Sequence, residues 1–125
     1  MTSLRTHHLR PALDTPEIYL YRDPVDFRKQ MHGLAAIVEQ ELCHNPFSGA
    51  LYLFTNRQHN KIKGLMWEEN GFILYYKALA EEKFHWPKGG EDTLALSGEQ
   101  INWLLDGYDL SAMKGHRKLN YNAMF

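Results

Sequence analysis

Hydrophobic and polar positions alternate along this chain with a period that changes several times, and each change marks an element. Ile18-Tyr19-Leu20-Tyr21, set between Glu17 and Arg22, is β-branched and aromatic and predicts a strand. Asp23-Pro24 ends that strand and opens a helix: Asp23 can accept from first-turn amides, Pro24 suits the first helical position, and Asp26 complements the dipole. Phe27, Met31, Leu34, Ala35, Val38 and Leu42 follow at three- and four-residue steps. This apolar stripe predicts one long helix reaching His44, where Asn45-Pro46 stops it. Gly33 inside it costs roughly 1 kcal/mol against Ala, which points to close packing at that position.

Beyond the Asn45–Gly49 turn cluster, Ala50 to Thr55 and Lys61 to Glu69 read as strands joined by a polar loop, Asn56 to Asn60. Asn70-Gly71 is a hairpin signal, because both residues tolerate positive φ, and Phe72 to Lys77 returns. Pairing Glu69 with Phe72 places Trp67 beside Leu74 and Leu65 beside Tyr76 on one face of this meander. Met66 beside Tyr75 and Glu68 beside Ile73 then lie on the other, and Lys77 falls opposite Gly64. Both faces carry large apolar groups, so the helix is expected on one and further chain or a partner on the other. Phe84-His85-Trp86 predicts a short edge strand ended by Pro87 and the Lys88-Gly89-Gly90 loop. Ser97 and Gln100 form a capping-box pattern ahead of Ile101, Leu104 and Leu105, and Gly107 ends that short helix. The expected fold class is α+β: one long N-terminal helix packed on a mostly antiparallel β-meander, with a short C-terminal helix.

The 125 residues are 44% hydrophobic and 23% charged, as in an ordinary globular protein, and their number suits one domain. The expected organisation is a loosely held arm at residues 1–16, one domain at 17–111 and a basic tail at 112–125 carrying Lys114, His116, Arg117 and Lys118. A net charge of −1 predicts no global attraction to nucleic acid or anionic lipid, so any such role needs local clustering. The single cysteine, Cys43, excludes an internal disulfide and a Cys-based zinc site. No apolar run has the length of a signal peptide or a membrane span, which fits a cytoplasmic protein.

Positive charge gathers at the first meander loop, in Arg57, His59, Lys61 and Lys63. Lys61 and Lys63 share a strand face, and Lys77 is expected near the same end. Such a ribbon tip can contact phosphates, although solvated basic hairpin tips are also common. Arg28-Lys29 places cations in the first turns of the predicted helix, where they oppose the dipole and add to the candidates. The nucleic-acid-binding candidates are thus Arg28, Lys29, Arg57, Lys61, Lys63 and Lys77. Trp67, Tyr75, Tyr76, Phe84 and Trp86 could stack bases, but their interleaving with Leu, Ile and Met reads better as core. No catalytic set is visible. Asp23 and Asp26 read as helix caps, Glu68 and Glu69 point to opposite faces, and the seven His show no zinc-motif spacing. No metal or cofactor is expected.

Several segments occur in a characteristic order: Asp26-Phe27-Arg28-Lys29, Gly33-Leu34-Ala35, Asn45-Pro46-Phe47-Ser48-Gly49, Leu51-Tyr52-Leu53-Phe54, Asn56-Arg57 and Lys61-Ile62-Lys63. Then come the Trp67 to Gly71 turn, Tyr75-Tyr76-Lys77, Phe84-His85-Trp86-Pro87 and Leu104-Leu105-Asp106-Gly107. From Ile18 to Leu110 the chain resembles the TnpB-type accessory proteins of the insertion-sequence-sixty-six family of bacterial transposons, with Gly64, Ala78 and His85 departing from the pattern. The resemblance implies a non-catalytic role in transposition, beside a larger transposase that carries the catalytic carboxylates. The partners it implies are the transposase, other accessory proteins of the element and transposon-end DNA. Two other readings are an adaptor that touches no nucleic acid and a small metal-dependent nuclease.

Overall fold

The computed structural model describes residues 17–111, so the arm and the basic tail expected from the sequence lie outside the described residues. Its elements are β1 (Ile18–Tyr21), α1 (Met31–Gln40), β2 (Leu51–Thr55), β3 (Lys61–Glu68), β4 (Gly71–Ala78), β5 (Thr93–Leu96) and α2 (Gly98–Leu105). The strands form one mixed sheet in the order β4-β3-β2-β1-β5. β1 and β2 run parallel, Ile18 opposite Leu51, with α1 in the crossover between them. The other three pairings are antiparallel.

This corrects the expected fold class. No long N-terminal helix lies on a meander: the strands predicted as a meander belong to a five-stranded mixed sheet, and both helices are short. The predicted helix fails over residues 23–30 because its backbone groups are used elsewhere. The Val25 amide donates to the Thr55 carbonyl (2.8 Å), and the Asp26 carboxylate accepts from the Arg28 amide (2.9 Å). The Phe27 and Lys29 carbonyls, which a helix would offer to Met31 and Gly33, instead accept from Lys63 Nζ at 2.9 and 2.8 Å. Helical hydrogen bonding begins only with Leu34 N–H to the Gln30 carbonyl. At the other end Cys43 takes a left-handed conformation (φ 59°), and the His44 amide returns to the Val38 carbonyl, closing the helix at Gln40.

Alternation along the strands sends side chains to two cores. Toward α1 point Tyr21, Tyr52, Phe54 and Leu65, meeting Leu34 and Val38. Toward α2 point Ile18, Leu20, Leu51, Leu53 and Ile62, meeting Ile101, Leu104 and Leu105, with Phe84 and Trp86 completing the cover. Each fully buried aliphatic side chain contributes about 1.5–3 kcal/mol, so both faces are needed to stabilise so small a sheet. Gly64 admits this packing: a Cβ there would lie 3.3 Å from both the Leu51 and Leu53 side chains.

The hairpin register is offset by two residues from the expected one. Glu68 pairs with Gly71, so Glu69-Asn70 is the turn and Glu69 takes the left-handed conformation (φ 52°). Trp67 therefore faces Phe72, Leu65 faces Leu74, and Lys77 faces Ile62. An offset of two keeps every side chain on its expected face. The edge strand expected at Phe84–Trp86 is absent. That edge position is filled by β5, whose Leu94 pairs with Leu20, while Phe84 and Trp86 pack onto the α2 face. The α2 capping box is present, Ser97 accepting from the Gln100 amide and the Gln100 side chain accepting from the Ser97 amide.

Candidate nucleic-acid interface at one end of the sheet

Because β1 and β2 are parallel, Tyr21 and Thr55 finish at the same end of the sheet. Their antiparallel neighbours begin there with Lys61 and Thr93, and β4 ends there at Ala78. All nine Lys and Arg of residues 17–111 belong to this end: Arg22, Arg28, Lys29, Arg57, Lys61 and Lys63, then Lys77, Lys83 and Lys88. Eight acids share it (Asp23, Asp26, Glu81, Glu82, Glu91, Asp92, Asp106 and Asp109). The far end has Glu17, Glu39, Glu41, Glu68, Glu69 and Glu99, and among the described residues no Lys or Arg. Among the described residues, cations are therefore confined to an end where they are mixed with acids, and the other end carries acids alone.

On the α1 side of this end, Lys63 is 4% exposed and its ammonium is committed within the protein. Besides the two carbonyls it lies over the Phe27 ring (4.9 Å to the centroid) and the Tyr76 ring (5.6 Å). Burial, and then the neighbouring Lys61, push its pKa down. The effect is organisational: by holding the backbone of residues 27 and 29, Lys63 lays exposed Arg28 and Lys29 beside β3, which also carries Lys61. Arg28 is paired with Asp26 (2.6 Å), and its hydrogen bonds hold that carboxyl well below the usual carboxylate range. Both groups face solvent, so the pair is easily exchanged for a contact with phosphate.

Arg57 projects from the loop between β2 and β3, and Asn56 gives that loop its shape. Asn56 Oδ1 accepts from the Asn60 and Lys61 amides (3.1 Å each), while Nδ2 donates to Gln58 and Asn60 side chains. Thr55 Oγ1 closes the base of the loop by donating to the Lys61 carbonyl (2.9 Å). Of the six sequence candidates, Arg28, Lys29, Arg57 and Lys61 thus flank one surface, with Lys63 beneath it. Lys77 lies on the opposite sheet face, where Nζ donates to the Leu105 carbonyl (2.9 Å) at the C-terminus of α2. A cation there offsets the negative end of the helix dipole.

On the α2 side of the same loop is a cleft of about 790 Å³, walled by Arg22, His59, Lys83, His85, Lys88 and the buried rings of Phe84 and Trp86. Trp86 Nε1 donates to the Tyr21 carbonyl (3.1 Å), and the Phe84 amide donates to the His59 carbonyl (2.7 Å), so residues 84–86 are fixed against the strand ends. Burial, with the charges of Lys88 and Lys83, lowers the His59 pKa. Except for His59, these charged wall residues were not grouped by sequence reasoning. Lys83 and Lys88 are near neighbours, but Arg22 is more than sixty positions away, and only the fold over β1 brings it to them. Among the described residues no group of three or more His, Cys, Asp or Glu could hold a metal ion, and no helix is long and apolar enough to cross a membrane.

Residues 16–115 match the model of the IS66 Orf2-like protein family. The chain is 32% identical over 97 residues to the uncharacterized protein y4jC of Sinorhizobium fredii (strain NBRC 101917 / NGR234), covering 78% of this chain and 83% of that protein. It is 28% identical over 99 residues to the uncharacterized protein y4hO of the same organism, covering 79% and 86%. No solved structure matches significantly. A family match across four-fifths of the sequence, in agreement with the ordered motifs, places the chain in the IS66 Orf2-like family of transposition accessory proteins.

Proposed function

We propose that the chain assists transposition as a non-catalytic subunit that binds DNA through its phosphate backbone at the cationic end of the sheet. The observation that supports this reading is the confinement of every described Lys and Arg to that end, against six acids and no cation at the other. Arg57 and Lys61 make the outer contacts, Arg28 and Lys29 extend them, and Lys63 holds the segment carrying the latter pair. Contacts of this kind position a duplex without reading its sequence, so selectivity for transposon ends comes from the transposase. The test is binding of the purified chain to transposon-end duplex and to a scrambled duplex over a range of salt. The expected result is binding to both, with a log–log salt slope that falls by about 2 in the Arg57→Glu/Lys61→Glu variant. An unchanged slope in that variant would remove Arg57 and Lys61 from the interface.

A second reading, an adaptor that docks the transposase, is favoured by an aromatic cluster at the acidic end. Phe47, 55% exposed, stands edge-on to Trp67 (centroids 5.0 Å) and against Phe72 (5.5 Å). Absence of DNA binding, together with protection of Phe47 and Trp67 by the transposase, would select it.

A further inference from the structure

We infer that the cleft between the end of β1, the 56–60 loop and residues 83–88 is a binding site for a phosphate group, with Arg22 as its central donor and Lys83 and Lys88 as flanking charges. The inference deepens the DNA-binding reading and rests on it for the source of the phosphate, a DNA strand.

Three observations carry it. First, Arg22 Nε is buried and has no hydrogen-bond partner. A buried donor on a permanently charged group is costly to leave unsatisfied, and a planar guanidinium suits a phosphate's geometry. Second, the loop leaves room for the guanidinium where a side chain would intrude: at Gly90, φ +77°, a Cβ would lie 3.2 Å from Arg22 Nη2. Third, the charge of the cleft suits an anion of more than one charge. Lys83 and Lys88 both act electrostatically on His59, so their fields converge on one wall. The one carboxylate in the lining, Asp109, already accepts from the Ser111 amide (3.0 Å) and hydroxyl (2.7 Å).

The lining also says which part of a nucleic acid enters. Phe84 and Trp86 are 2% and 4% exposed, so neither ring is open for stacking on a base. At about 790 Å³ the cleft exceeds one phosphate and has room for the adjoining sugar. Arg22, His59 and Lys88 also line a smaller adjoining depression with Asp23, Glu91 and Asp92, whose carboxylates confine the anion to the larger cleft. The DNA approach is therefore two-sided: Arg57 and Lys61 on one flank of the 56–60 loop, the cleft on the other.

The experiment follows the Arg22 Nε–H resonance by ¹⁵N NMR of the full chain, titrated with inorganic pyrophosphate, with a short duplex bearing 5′-phosphates and with the same duplex lacking them. The resonance is expected to move saturably with pyrophosphate and with both duplexes, and not with sodium chloride. Lys83→Glu and Lys88→Glu, both at exposed positions, are each expected to weaken the pyrophosphate response by about tenfold or more. Response to the 5′-phosphorylated duplex alone would identify a terminal phosphate as the ligand. Movement with pyrophosphate and no duplex binding would uphold the site and remove DNA as its source. A duplex that binds and leaves Arg22 unmoved would overturn the site while sparing the DNA reading. A resonance that responds to neither anion, or equally to chloride, would overturn it outright.

Discussion

Where β1 and β2 finish, cations and acids are mixed and every described Lys and Arg is found; where those strands begin there are six glutamates, no Lys or Arg among the described residues, and at the β3–β4 edge a cluster of Phe47, Trp67 and Phe72. The overall charge of −1 conceals this division. What the difference teaches is that bulk charge says little about distribution, whereas topology decides which surface the charged side chains share. The parallel β1–β2 pair is the cause. It brings two strand C-termini together, and the loops that leave them carry Arg22, Arg57 and His59 to one end. Within that end a second division holds. Lys61 and Lys63 share a strand face, but one reaches the surface and the other is built into the fold.

The largest expected effect comes from breaking that second division. Lys63→Met keeps most of the stem's apolar volume but strands the Phe27 and Lys29 carbonyls. Hydrogen bonds to a charged donor are worth about 1.5–3 kcal/mol each, and partial resolvation of the carbonyls lowers the net cost to about 2–4 kcal/mol. Chemical denaturation should show that loss, against less than about 0.5 kcal/mol for Lys61→Ala. Equal effects at the two positions would mean that the segment over β3 is held by Phe27 and Val25 packing alone.

The division between the ends is sharpened by changing charge where DNA is not expected. Glu68→Lys/Glu69→Lys raises net charge by four at the hairpin tip of the acidic end. If binding is local to the cationic end, affinity for a duplex should rise by less than about threefold with no change in salt slope, since no new phosphate contact is made there. A slope steeper by about 2 would show that the duplex follows total charge and meets either end.

Much of this fold was legible in local pattern. The Ile18–Tyr21 strand, the strands from Leu51 to Ala78 and the Ser97/Gln100 cap all rest on neighbours within a few residues, where periodicity and capping chemistry act. The failures are places where a distant group took over. Residues 23–30 open a good helical stripe with start signals of their own, but Lys63 and Thr55 claim their backbone groups from thirty or more positions away. β5 is four residues long and gains its strand character from pairing with β1, so Thr93–Leu96 shows no pattern of its own. The candidate interface divides in the same way. Arg57, His59 and Lys61 are near neighbours and were visible as a cluster, whereas Arg22, Lys83 and Lys88 converge only through the chain's return past Trp86.

At the acidic end the aromatic cluster offers a smaller effect. Phe47 is more than half exposed, so its worth to the isolated chain is chiefly its edge contact with Trp67 and its packing on Phe72. Phe47→Ala should cost about 0.5–1.5 kcal/mol and shift Trp67 emission. A cost below that range would leave the ring without a structural reason to stand there and would strengthen the adaptor reading.

The smallest effect concerns His59, which faces both divisions from the loop between them. Burial, then Lys88 and Lys83, hold its folded pKa below the ordinary 6.5. Arg22 and Asp109 line the same cleft, and Asp23, Glu91 and Asp92 line the adjoining depression with His59. In the window from 6.5 down to the folded pKa, the unfolded chain binds the proton and the folded one does not, so stability rises with pH there and falls on acidification. The loss levels off once the folded imidazole is protonated too. His59→Asn tests this without disturbing the backbone, because Asn tolerates the left-handed conformation found there (φ 61°). Melting temperatures between pH 5 and 7.5 should decline more steeply in the parent than in the variant. Pyrophosphate should narrow the gap by countering the lysine charges. Parallel curves without phosphate would mean that the imidazole feels no excess positive field, and the cationic end would then be narrower than the cleft's lining implies.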